Sequence, residues 1–165
     1  MFALGIDPGL TRCGYGAVRL ERGRLIPVAY GHLTTPADED LSGRLGQLWR
    51  ELDALLEDLV PQVMVVERVL FQVNARTAMS VGQASGLALA AAGCRGIPVA
   101  LYSPNEVKLA VTGTGRADKA QVQAMVAALL GLEKPPAPAD RADALALAVC
   151  HLSRAGLAAA LGSAR

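Results

Sequence analysis

Apolar and small residues run unbroken from Phe2 to Ile6 before the first charge, Asp7, and a Pro-Gly turn follows at once. Residues 2–7 therefore read as a buried strand that ends in a carboxylate. Residues 14–20 and 24–33 read as two more strands joined at Glu21-Arg22-Gly23, an antiparallel meander. The pattern then changes period. Leu41, Leu45, Leu48, Leu52, Leu55, Leu56 and Leu59 fall on one helical face, and Pro61 stops the run. The stretch VMVVE, 63–67, suits a strand covered on both faces, and it too ends in an acid, Glu67. A helix over 74–93 and a strand over 97–102 follow. Ser103-Pro104-Asn105-Glu106 then supplies the cap, the proline and the third-position acid of a helix start, for a short helix reaching about 112. GTGRAD, 113–118, reads as a loop, 118–130 as a helix, EKPPAPA as a break and the residues from Asp140 as the last helix.

Three antiparallel strands followed by strand–helix alternation predict an α/β fold. Its five-stranded mixed sheet has three antiparallel strands, then parallel ones, with helices on both faces. With 165 residues, 52% of them hydrophobic, the chain suits one domain with a sizeable core and excludes a solvated tail. That domain is expected over 1–155, with 156–165 as a C-terminal tail prone to fray. No run reaches the ~18 uninterrupted apolar residues of a membrane helix. The richest stretch, 142–161, is broken by Asp143, His151 and Arg154, and no basic-then-apolar leader opens the chain. The expectation is a soluble, cytoplasmic protein with no membrane partner. Cys13, Cys94 and Cys150 form no CxxC pair, and His32 and His151 have no cysteine at zinc spacing, so free thiols in a reducing compartment are expected. A net charge of +1 neither announces a nucleic-acid binder nor excludes one that works through a local basic patch.

The chemistry lies in the acids. Asp7 and Glu67 end apolar strands, and in open α/β sheets ligands gather at strand ends. Asp140 and Asp143, three apart, occupy neighbouring positions on the first turn of the last helix. Each has a plainer reading: Asp140 with Asp143 as a helix start favoured by the dipole, Asp7 as part of its Asp-Pro-Gly turn, Glu67 as an arginine partner. If the four converge, their like charge calls for cations. Oxygen ligands without Cys or His point to Mg²⁺ or Mn²⁺, and such a set can hold two ions about 4 Å apart. Arg12, Arg68, Arg76, Arg116 and Lys119 lie in or beside loops expected on the same face, where they form a candidate phosphate-holding rim.

GIDPGLTRCGYG, VVERVL, NARTAMSVGQASG, GTGRADKAQVQAMV and ADRADALALAV, in that order and spacing from Leu4 to about His151, resemble the RuvC family of Holliday-junction resolvases. The resemblance implies an RNase H-like fold. It implies a Mg²⁺-dependent homodimer that nicks two like-polarity strands of a four-way junction, leaving 5′-phosphate and 3′-hydroxyl ends. RuvA and RuvB are the implied branch-migration partners. The family's acids fall on Asp7, Glu67, Asp140 and Asp143, and its catalytic-loop lysines on Lys108 and Lys119. The chain departs from the family where an aromatic usually stands three residues after the glutamate. That position is Leu70, with Phe71 next, so either Phe71 stacks on unpaired bases or the loop acts as an apolar wedge. Ala78, Gly82, Gly86 and Ala90, every fourth residue, form a small-residue stripe, assigned equally well to a dimer contact or to packing on the chain's own sheet. Sugar kinases and actin-like ATPases share the opening strand–Asp–Gly turn but need two such domains, which 165 residues cannot supply. A related small resolvase family fits the Asp140–Asp143 pair less well, and a binding module that lost catalysis conflicts with the presence of all four acids.

Overall fold

Alternation along two central strands decides where everything else sits. The computed structural model describes residues 1–68 and 75–162, and Leu70 and Phe71 lie outside the described residues. The strands are β1 (Phe2–Asp7), β2 (Arg12–Glu21), β3 (Arg24–Thr34), β4 (Val63–Glu67) and β5 (Val99–Tyr102). The helices are α1 (Leu41–Leu59), α2 (Ala75–Cys94), α3 (Pro104–Thr112), α4 (Lys119–Leu130) and α5 (Ala139–Gly162). In space the strands run β3-β2-β1-β4-β5, with β1–β2 and β2–β3 antiparallel and β1–β4 and β4–β5 parallel. The mixed sheet expected from the sequence is the one observed.

Strand side chains alternate between faces. Phe2, Leu4 and Ile6 of β1, with Met64 and Val66 of β4, pack under α1 and α2 against Leu48, Leu52, Leu56, Ala84 and Ala88. Ala3 of β1, with Val63 and Val65 of β4, faces the other layer, where α3, α4 and α5 bring Val107, Val126, Leu145 and Val149. The same parity sends Asp7 and Glu67 to the α5 side. Ile6 pairs with Val66, so the two acids follow side by side at the ends of neighbouring parallel strands.

α5 lies unusually close to the sheet because three strand positions carry no side chain. A Cβ on Gly5 would run into the Ala144 carbonyl, one on Gly14 into the Asp140 carbonyl and one on Gly16 into the Leu145 backbone. Gly14 is also the partner of Asp7 across β1–β2, so the first turn of α5 is seated over the end of β1. α5 opens at Ala139, one residue before the expected start, which leaves Asp140 inside the first turn and not at the cap.

Other boundaries shift for local reasons. β5 begins at Val99 and not at 97, because the Ile97 N–H turns back to the Ala92 carbonyl (2.9 Å) and Pro98 contributes only its carbonyl, to Met64 N–H (2.9 Å). α1 is capped by Asp40, whose carboxylate accepts from Gly43 N–H (2.7 Å). Leu41, placed on the apolar face by its spacing, is exposed; Leu48, Leu52 and Leu56 carry the buried stripe. α2 buries Ala84, Ala88, Ala91 and Ala92, whereas Gly82, Gly86 and Ala90 face outward. Packing on the chain's own sheet therefore does not explain those three stripe positions. The three cysteines are free: Cys13 and Cys150 are buried, and Cys94 is exposed. Among the described residues no helix is long and apolar enough to cross a membrane.

Gly14→Ala is expected to destabilise the protein by about 1–3 kcal/mol in urea titration, since the added methyl meets backbone that cannot swing aside. Gly93→Ala, in α2 with nothing within 4 Å of its added methyl, should cost nothing and gain up to about 1 kcal/mol. Equal effects at the two positions would contradict the close seating of α5.

Candidate active site

The turn after Asp7 is held from outside. Thr35, buried, donates its hydroxyl to the Leu10 carbonyl (2.6 Å), and Arg44 of α1 reaches both Thr35 Oγ1 (3.0 Å) and Thr11 Oγ1 (2.8 Å). Residues 8–11 are thus tied to α1, and the end of β1 is presented rigidly beneath α5. Neither Thr35 nor Arg44 stands in a motif, so only the fold reveals this brace.

Over that end gather the four predicted acids. The Asp7 carboxyl is pushed up to about 7, first by burial and then by the charges of Asp143, Glu67 and Asp140, with Lys119 opposing. Burial, followed by the Asp143 charge, raises Glu67 as well. The acids stand close enough to repel one another through a poorly solvated region. Among the described residues, however, no three His, Cys, Asp or Glu side chains form a ready metal-ligand set. The plain turn-chemistry reading of Asp7 does not account for a carboxyl opposed by three others.

Two cations answer this charge. Lys119, the first residue of α4, places Nζ 2.7 Å from Asp143, and that bond holds its ammonium in the charged form. Asp118 caps α4 with Gln121 closing the capping box, so local chemistry sets where Lys119 begins the helix. Arg12, at the start of β2, puts Nη1 3.1 Å from Asp140. Glu67, Lys119 and Asp143 share a cleft of about 230 Å³ with Lys108, above an apolar floor that includes Val107 and Leu147. Lys108 and Lys119 thus enter the same cleft from α3 and α4.

The rest of the expected basic rim is less uniform. Arg68, next to Glu67, bonds through its backbone N–H to the Tyr102 carbonyl (2.8 Å) and rests its guanidinium on the Leu101 carbonyl (3.5 Å), along β5. Arg116 is exposed in the α3–α4 loop. The Arg76 side chain, with Leu70 and Phe71, lies outside the described residues. Two residues the sequence reading passed over border the acids instead: Arg141, between Asp140 and Asp143, donates from Nε to His32 Nδ1 of β3 (3.1 Å). The available signal was a cation in the first turn of a helix, where the dipole disfavours it.

A five-stranded mixed sheet with carboxylates at the ends of two central strands, joined by others from a helix laid across them, defines an RNase H-like protein. This chain belongs to the RuvC family: the family pattern for crossover junction endodeoxyribonuclease RuvC matches residues 3–151. The chain is 52% identical to crossover junction endodeoxyribonuclease RuvC of Saccharopolyspora erythraea over 165 residues, 99% of this chain and 83% of that protein. It is 53% identical to its counterpart in Salinispora arenicola, over 99% and 94%. Among solved structures, Thermus thermophilus RuvC superposes with a TM-score of 0.88 at 35% identity, covering 96% of this chain and 97% of that one. The T. thermophilus RuvC complex with Holliday junction substrate gives 0.86 at 33%, covering 95% and 96%.

The raised Asp7 carboxyl has a measurable consequence. Its folded value, about 7, exceeds the ordinary 3.8, so the folded state holds the proton over that interval and the unfolded state does not. Stability of the metal-free protein should therefore fall as pH rises from about 4 to 7, with a full amplitude on the order of 4 kcal/mol for this group. Asp7→Asn should remove most of the fall and make the variant the more stable protein at pH 8 in urea titration. A wild-type profile that is flat or rises over this range would refute the arrangement.

Proposed function

We propose that this chain resolves four-way (Holliday) DNA junctions in recombination and repair. It hydrolyses one phosphodiester in each of two like-polarity strands and leaves 5′-phosphate and 3′-hydroxyl ends. The observation that carries the reading is the meeting of Asp7 and Glu67, from adjacent strand ends, with Asp140 and Asp143 from α5. The likeness to a RuvC solved with Holliday junction substrate supports the choice of DNA.

Family membership implies a Mg²⁺-dependent reaction, and the donor set fits: four carboxylates, hard oxygens only, whose mutual repulsion a divalent cation relieves. Asp7, Glu67, Asp140 and Asp143 would together hold the two ions; Mn²⁺ suits the same donors. Bound there, the metal supplies an attacking water of lowered pKa and charge stabilisation at the leaving 3′-oxygen.

The chain's own residues do the remainder. Lys119, paired with Asp143, is assigned to stabilise the crowded phosphate, and Lys108, lining the same cleft, to a neighbouring one. Arg12, Arg68, Arg76 and Arg116 are assigned to backbone phosphates, which fix register without reading sequence. Phe71, or Leu70 as an apolar wedge, is assigned to unpaired bases at the crossover. Two cuts need two sites, so the working form is a homodimer. Gly82, Gly86 and Ala90, turned outward from α2, support that surface as the contact. RuvA and RuvB are the family's branch-migration partners, and the cytoplasm, without membrane, is the expected place of action. Residues 1–155 are taken as one nuclease domain.

Purified protein with Mg²⁺ should nick a synthetic four-way junction symmetrically, to products that ligase seals. Asp7→Asn should bind that junction at wild-type strength and lose at least about a thousandfold in cutting rate. Binding without cutting by the unaltered protein, in both Mg²⁺ and Mn²⁺, would defeat the reading.

A further inference from the structure

Arg141 is placed against local preference. It stands in the first turn of α5, where the helix dipole opposes a cation, and it is flanked in sequence by Asp140 and, two residues on, Asp143. Yet its side-chain bond goes to neither acid. The guanidinium Nε donates to His32 Nδ1 at 3.1 Å, an imidazole nitrogen 109 residues away. Among the described residues the acids are matched differently: Asp140 with Arg12 and Asp143 with Lys119. A guanidinium has five donors in a planar fork, and this contact engages only the one nearest the chain. The two terminal nitrogens form no ion pair within the described chain.

The register explains why His32 is there to meet it. Asp7 pairs with Gly14 of β2, and Gly14 pairs with His32 of β3, so the three lie in one row across the sheet. Directly paired residues share a face, and Gly14, which has no side chain, leaves room for the Asp140 backbone above it. His32 then rises on the far side of α5's first turn, two strand spacings or about 10 Å from Asp7. There it receives Arg141 Nε, so the guanidinium is held on the β3 side of the first turn of α5. This flank of the acids lies opposite the Lys108–Lys119 cleft.

We infer that Arg141, braced by His32, holds a backbone phosphate of the bound DNA strand next to the scissile one, on the β3 side of the acids. Arg141 touches the substrate and His32 is a positioning residue that acts only through it. The ligand is a phosphodiester, recognised by charge and by the two-pronged geometry that a lysine lacks. With Lys119 and Lys108 on one flank and Arg141 on the other, the strand is gripped on both sides of the reacting group. This inference rests on the nuclease reading above and adds to it the path of the strand.

The test measures binding of a labelled four-way junction to the full chain in EDTA across a range of KCl concentrations, followed by cutting in Mg²⁺ at saturating junction. Arg141→Met should weaken binding about tenfold and make the salt dependence shallower by roughly one phosphate. Cutting by the wild-type protein in the same assay keeps the nuclease reading separate from this one. Arg141→Lys should recover only part of the affinity, because it keeps the charge without the fork. His32→Leu should weaken binding several-fold, and His32→Gln, whose carbonyl still accepts from Nε, should restore it to within about twofold. His32→Leu added to Arg141→Met should cost nothing more. If Arg141→Met fails to fold, the His32 pair carries the test alone. Unchanged affinity and salt slope in Arg141→Met, or equal loss in His32→Leu and His32→Gln, would overturn the inference while leaving the nuclease intact. A wild-type protein that neither binds nor cuts junctions would overturn the nuclease reading instead.

Discussion

The seat of α5 on β1 and β2 is the contact on which the rest of the structure depends. Three glycines let a helix backbone come down to the sheet where side chains would ordinarily hold it off at about 10 Å. That close approach brings Asp140 and Asp143 to strand ends already occupied by Asp7 and Glu67. The site is therefore a product of packing before it is one of chemistry. Apolar burial on both sheet faces supplies the stability against which four like charges are held together.

Such a site is built with a deficit of positive charge. Lys119 and Arg12 offset part of it, each bound to an acid of α5. Asp7, raised chiefly by its burial, forms no ion pair among the described residues and holds its proton more tightly. The same deficit that weakens the metal-free protein at neutral pH is what the proposed divalent cation would relieve. Binding and stability would then be linked through one set of carboxylates.

Much of this was legible in the chain because it rests on periodicity. The strand patterns alone place Asp7 and Glu67 at strand ends, and three-residue spacing places Asp140 with Asp143. Convergence of the two pairs was not legible, since no local rule brings residue 7 to residue 140; it needs the glycines of β1 and β2 and the strand order β3-β2-β1-β4-β5. Partnerships across long separations escaped for the same reason. Arg141 reads in sequence as a neighbour of acids, and only the row Asp7, Gly14, His32 shows that it bonds to a histidine. Thr35 and Arg44, which hold the Asp7 turn, carry no sequence signal at all. The α2 stripe was open to two readings from spacing, and exposure of Gly82, Gly86 and Ala90 removes one of them.

What unites these points is one claim: packing forces Asp7 into a buried field of three other acids. The direct measurement follows the Asp7 side-chain carboxyl carbon by NMR through a pH titration of the metal-free protein, with Asp7→Asn to assign the signal. The account predicts a midpoint near 7, set by burial and by Asp143, Glu67 and Asp140. A midpoint at the ordinary aspartate value of about 4 would contradict it.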